Sequence, residues 1–236
     1  MLYLNEVYPS SEFSTQERQE RLITAALHDV KRLNQYNFNM VITPRVPRFS
    51  DGYGYDHADE GKQLILDKLP TLQSTHLDWK SIARAVEQHN KLHPAYEEEE
   101  EDDPRCLVNF IRQIDTTAIL TFFDSYIRPI VTEQVERYEF LPHFSTDAIE
   151  NFYTSTTLVD RAVIKTQMDY VIYMLGWIQN LKDTQLREFV LGNGVMATLK
   201  QFLTDSYHAS LVNGNGSTAS MEEVLDQWDQ LVGKLY

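Results

Sequence analysis

Ile164-Lys165-Thr166-Gln167-Met168-Asp169-Tyr170-Val171-Ile172-Tyr173-Met174-Leu175-Gly176-Trp177-Ile178 is the stretch on which the fold class turns. Ile164, Met168, Val171, Leu175 and Ile178 follow one another at spacings of 4, 3, 4 and 3, which lines them along one side of a helix. Leu158, Val159, Val163, Ile172 and Tyr173 widen that stripe, as a helix central to a core requires. The spacing predicts one helix over 157–182, the longest in the chain.

The same period governs the flanks. Gly192-Asn193-Gly194 reads as the end of a short helix and the start of another, with Val195, Leu199, Phe202 and Leu203 facing inward. Ser220-Met221-Glu222-Glu223 is a capping box that opens a last helix burying Val224, Trp228, Leu231 and Leu235. Upstream, Asp115 is read as the cap of a helix carrying Ile119 and Phe123, with a short helix over 106–114 before it. Ser14-Thr15-Gln16-Glu17 opens a first helix, residues 58–69 form a second that stops at Pro70, and a third begins near Thr75, with Asp78 three residues on and Trp79, Ile82, Ala83 and Val86 inward. The fold expected is all-α, an irregular multi-helix bundle or short helical-repeat-like stack of about eight to ten helices. At most a minor β element is expected, near 39–43.

Charge sets the expected organisation. The 236 residues carry a net charge of −14, and half of it falls on Glu97, Glu98, Glu99, Glu100, Glu101, Asp102 and Asp103. Adjacent like charges repel and bury nothing, so 95–103 reads as an acidic linker between an N-terminal helical part, 1–94, and a C-terminal one, 104–236. The acidic balance argues against direct binding to a nucleic-acid backbone. One cysteine, Cys106, excludes a disulfide framework or a multi-cysteine metal site, and is read as an inert buried thiol. No apolar run approaches the length of a membrane span, and Met1-Leu2-Tyr3-Leu4-Asn5-Glu6 has no basic, apolar leader. The expectation is an intracellular protein, cytoplasmic or otherwise, that is not secreted.

Tyr173-Met174-Leu175-Gly176-Trp177-Ile178-Gln179-Asn180-Leu181, Arg187-Glu188-Phe189-Val190-Leu191-Gly192-Asn193-Gly194-Val195, Leu199 and Leu203 resemble part of one armadillo repeat of the importin-alpha type. The resemblance covers 170–204, with no second copy at the repeat period. It implies helical-repeat-like packing and a leaning toward protein binding. It carries over no binding residues, because the family's groove needs several stacked repeats.

Candidate chemistry is sparse. His57 stands among Asp56 and Asp59 at a helix start, where a metal site or an acid–base pair could form. The plainer reading is that one of the acids caps the helix and His57 is exposed. His89 and His93 share the i, i+4 spacing of a zincin helix, but Asn90 replaces its acid and Pro94 ends the helix. No catalytic residue, metal or cofactor is assigned from the sequence. Residues 38–56 combine Pro-spaced extended chain with Arg45, Arg48, Phe49, Tyr53 and Tyr55, the residue types that anchor protein interfaces. The function expected is therefore a non-catalytic helical adaptor or structural subunit with a protein partner, in no stated oligomeric state. The alternatives are an acidic binder of basic partners, or nucleic-acid mimic, through 97–103, and an enzyme with a site assembled from distant residues.

Overall fold

The computed structural model describes residues 13–31, 56–72, 76–91, 106–125, 128, 139, 141–155, 158–213 and 219–236, and these residues are all-α. The helices are α1 (Thr15–Leu27), α2 (His57–Leu72), α3 (Trp79–Gln88), α4 (Leu107–Thr121), α5 (Thr146–Thr154), a 3-10 turn (Arg161–Val163), α6 (Asp169–Gln179), α7 (Thr184–Gly192), α8 (Val195–Asn213) and α9 (Met221–Gly233). Among the described residues, β pairing is limited to an isolated bridge between Glu139 and Thr166. The region near 39–43 lies outside them. No described helix is long and apolar enough to cross a membrane.

Contacts divide the chain after Asp115, into residues 1–115 and 116–236. The first ten described residues after the acidic run, 106–115, thus belong with the N-terminal unit. α4 is continuous through Asp115, so that residue is a mid-helix side chain and not the cap expected from the sequence.

In the N-terminal unit α3 is the central element. Asp78 caps it, accepting from the Lys80 and Ser81 amides, and Ile82, Ala83, Ala85 and Val86 are buried around it. Ile65 of α2 packs with Ile82, Ala83 and Val86, while Val108 and Ile111 of α4 pack with Ala85. α1 opens on the expected capping box, in which the Ser14 hydroxyl accepts from the Glu17 amide and the Glu17 carboxylate from the Ser14 amide. α2 runs past Pro70 to Leu72. A proline so near a helix end removes just one amide donor from the final turn.

The C-terminal unit departs from the predicted helix over 157–182. Residues 158–163 are an irregular segment and a 3-10 turn, and α6 begins at Asp169. Side-chain carboxylates compete there with the helical ladder. Asp160 accepts from the Ala162 amide, and Asp169 accepts from the amides of Lys165 and Thr166 and from that of Ser145. Val159 lies against Gly176, where a Cβ would come within 2.6 Å of its Cγ2, so the segment packs on α6 instead of prolonging it. The apolar seam is nonetheless buried in full: Ile164, Met168, Val171, Leu175 and Ile178 all join the core. α7 ends at Gly192, Gly194 takes a φ of 77°, and α8 leaves at Val195, with Leu199, Phe202 and Leu203 inward as predicted. The Ser220 capping box opens α9, which buries Val224, Trp228 and Leu231.

Candidate metal centre

Four chain segments bring His28, Asp29, His57, His89 and Asp115 together in the N-terminal unit. The two aspartates and three histidines stand at helix ends, except Asp115, which lies inside α4. His28 is the C-cap of α1, following Thr24 by one turn, and His89 is the C-cap of α3, three residues after Val86. His57 is the first residue of α2, on the face continued by Gly61 and Ile65, and Asp115 extends the Val108 and Ile111 face of α4.

Two imidazoles and one carboxylate form the tightest group. The Nε2 atoms of His57 and His89 are 3.1 Å apart, and Asp29 Oδ1 is 3.2 Å from the first and 3.6 Å from the second. A point about 1.9 Å from all three atoms exists within that triangle, so an ion slightly above its plane meets metal–ligand lengths of about 2.0–2.1 Å. His57 and His89 are 1% and 4% exposed, whereas the Asp29 side chain is 37% exposed. The group is closed on the imidazole side and open at the carboxylate.

The other carboxylate oxygen serves a second group. Asp29 Oδ2 is 3.7 Å from His28 Nε2, which is 3.6 Å from Asp115 Oδ1. Asp29 therefore bridges the two groups, one oxygen toward each. The His28 and His57 rings each meet His89 edge-on, at 5.2 and 5.0 Å between centroids.

The nitrogens on the far side of the rings fix the orientation. His89 Nδ1 is 2.7 Å from the Val86 carbonyl and His28 Nδ1 is 2.9 Å from the Ala25 carbonyl, so each Nδ1–H donates three residues back and leaves Nε2 directed inward. His57 Nδ1 faces Asp56 Oδ1 at 4.0 Å. A backbone carbonyl or carboxylate on the outer nitrogen is the arrangement that orients imidazoles toward metals.

A polar clasp ties the start of α2 to the end of α3. Asp56 caps α2 through the Ala58 amide and accepts from Asn90 Nδ2 at 3.0 Å and Lys91 Nζ at 2.5 Å; Lys91 also reaches Asp59 at 2.9 Å. Partial burial pushes the Asp56 carboxyl up, but the hydrogen bonds from Lys91, Asn90 and the Ala58 amide hold it down at about 2. Burial works against the His28 imidazolium as well. There the hydrogen bond to Asp115, the charges of Asp29 and Asp115 and the Ala25 carbonyl prevail, and the pKa of His28 is raised.

The sequence reading and the structure meet in part. Asp56 caps α2 as expected, yet His57 is buried instead of exposed, and its partners are Asp29 and His89, not Asp59. α3 ends at Gln88, so no helical face carries His89 on to position 93, which itself lies outside the described residues. His28 and Asp29 were not singled out by the sequence, and Asp115 was read only as a helix cap. The available signal was positional: a His-Asp pair directly after an amphipathic helix, and a histidine four residues before a glycine. Arg45, Arg48, Phe49, Tyr53, Tyr55 and the run Glu97–Asp103 lie outside the described residues. Cys106 is half-buried, and its Sγ accepts from the Asn109 amide at 3.3 Å at the start of α4.

In the C-terminal unit a cleft lined by His143, Phe144, Ala219, Glu223 and Gln227 offers one imidazole and one carboxylate. That carboxylate already accepts from the Ser220 amide and hydroxyl in the α9 cap. No family model, no curated protein and no solved structure matches the chain.

Proposed function

We propose that the N-terminal unit is a metal-dependent hydrolase domain, with Asp29, His57 and His89 as ligands of a divalent cation and His28 and Asp115 completing an adjoining position through the shared Asp29. The observation that carries this reading is the triangle of Asp29 Oδ1, His57 Nε2 and His89 Nε2, with sides of 3.1–3.6 Å. Imidazole and carboxylate donors suit zinc, iron, manganese or cobalt. Three protein ligands with an accessible carboxylate side leave positions for water and substrate, the pattern of catalytic rather than structural sites.

A cation so held lowers the pKa of bound water and polarises the bond under attack. The chain's own residues supply the rest. His57 and His89 form the dry floor, the bridging carboxylate of Asp29 sets the spacing of the two positions, and the outer-nitrogen hydrogen bonds of His28 and His89 keep those two rings from rotating. Two neighbouring cation positions bridged by one carboxylate suit in-line displacement at phosphorus, which makes phosphoesters the preferred substrate class. This reading stands ahead of the adaptor role through 38–56 because an adaptor gives no reason for two buried imidazoles to face one carboxylate.

Hydrolysis of p-nitrophenyl phosphate and bis-p-nitrophenyl phosphate by chelator-treated protein is the test. Turnover is expected to appear on adding Mn²⁺, Co²⁺, Zn²⁺ or Fe²⁺ and to be lost in His89→Ala. Absence of metal-dependent hydrolysis, or equal hydrolysis by His89→Ala, contradicts the proposal.

A further inference from the structure

We infer that Arg112 is a positioning residue for the metal centre: from α4 it locks the chain on both sides of His89, and so sets the direction of that ligand. The inference rests on the metal-centre reading above. Arg112 Nη1 donates to the carbonyls of Gln88, His89 and Lys91 at 3.2, 3.1 and 2.5 Å. Gln88 and His89 close α3 and Lys91 stands just beyond it; the Gln88 carbonyl also accepts from the Lys91 amide at 3.3 Å, and a cation there meets the negative end of the helix dipole. The Val86 carbonyl is taken by His89 Nδ1. The carbonyls of Val86, Gln88, His89 and Lys91 are thus all engaged, with the outer nitrogen of the ring held on the Val86 carbonyl. Arg112 also stands three residues before Asp115, so one face of α4 holds the backbone of His89 and meets His28. The helix is a strut joining the two halves of the site.

If Arg112 acted only through the stability of the unit, loss of the cap at the other end of α3 would lower metal affinity just as much. Cobalt titration separates the cases, since affinity and visible absorption both report the ligand set. The proteins are the wild type, Arg112→Met, Arg112→Lys and Asp78→Ala. Arg112→Met is expected to bind Co²⁺ at least about tenfold more weakly with a weakened visible band, Arg112→Lys to lie between it and the wild type, and Asp78→Ala to match the wild type within about twofold. Wild-type affinity and spectrum in both Arg112 variants overturn the inference while leaving the metal centre standing. An equal loss in Asp78→Ala overturns it too, by reducing Arg112 to a stability effect. If Arg112→Met does not fold, Arg112→Lys decides alone: intermediate affinity supports the inference and wild-type affinity overturns it. Failure of the wild type to bind Co²⁺ overturns the metal centre and this inference together.

Discussion

His57 and His89 face each other through Nε2 atoms 3.1 Å apart, although they stand 32 positions apart in sequence. The contact depends on how closely α2 and α3 approach one turn away. A Cβ on Gly61 would stand 2.9 Å from Val86 Cγ1, so this glycine is what lets the two helices close. Gly61 follows His57 by four residues and Val86 precedes His89 by three, which puts the close approach and the ligand pair on the same faces.

Gly61→Ala is therefore expected to destabilise the N-terminal unit by about 1–3 kcal/mol through overpacking, against the modest gain alanine normally brings to a helix. Val86→Ala in the same chain removes the clashing methyl, so the double variant should lose less than the sum of the two. Urea unfolding of the four proteins checks this. Additive losses would show that Gly61 and Val86 do not meet.

Asp169 is fully buried at the entry to α6, with its carboxylate accepting from the amides of Ser145, Lys165 and Thr166. Removing it leaves the buried Thr166 amide and the part-buried Ser145 and Lys165 amides without this acceptor, at about 1–3 kcal/mol for the buried one and less for the others. Asp169→Ala should lower stability by at least about 2 kcal/mol, read by chemical denaturation. A loss below about 0.5 kcal/mol would mean that these amides find other partners.

Much of the fold is legible in the sequence because its signals are local. The boxes at Ser14 and Ser220 and the glycine turn at 192–194 each involve groups within a few residues, and each forms as read, whereas the helix read as beginning near Thr75 starts at Trp79 with Asp78 as its cap. The seam from Ile164 to Ile178 predicts burial correctly and helix length incorrectly. Periodicity reports which side chains face the core, whereas Asp160 and Asp169 decide where the backbone is helical. The candidate site was far less legible. His57 and His89 could be picked out singly, but their mutual contact, and the role of Asp29, depend on helix packing that no local pattern encodes.

Asp78 gives a pH-dependent prediction. Hydrogen bonds from the Ser81 hydroxyl and amide lower its pKa from the ordinary aspartate value. A carboxyl depressed in the folded state stabilises the fold above its unfolded pKa of about 3.9, and that contribution fades as pH falls through the lower folded value. Asp78→Ala should cost about 0.5–2 kcal/mol at neutral pH, the usual worth of such a cap, with the gap from wild type closing toward strong acid. Thermal unfolding of both proteins across pH reads the trend. A gap independent of pH would show that the ionised carboxylate is not the cap.

Equilibrium metal binding to the chelator-treated full chain is the most direct measurement, made by competition against a chromogenic chelator with Zn²⁺ or Co²⁺. The wild type and a variant with Glu97 to Asp103 neutralised should both bind at least one equivalent tightly, since the acidic run is not the site. His57→Ala with His89→Ala should lose that binding while keeping its helical signal. Tight binding that survives the double substitution, or that disappears with the acidic run, would contradict a centre built on His57, His89 and Asp29.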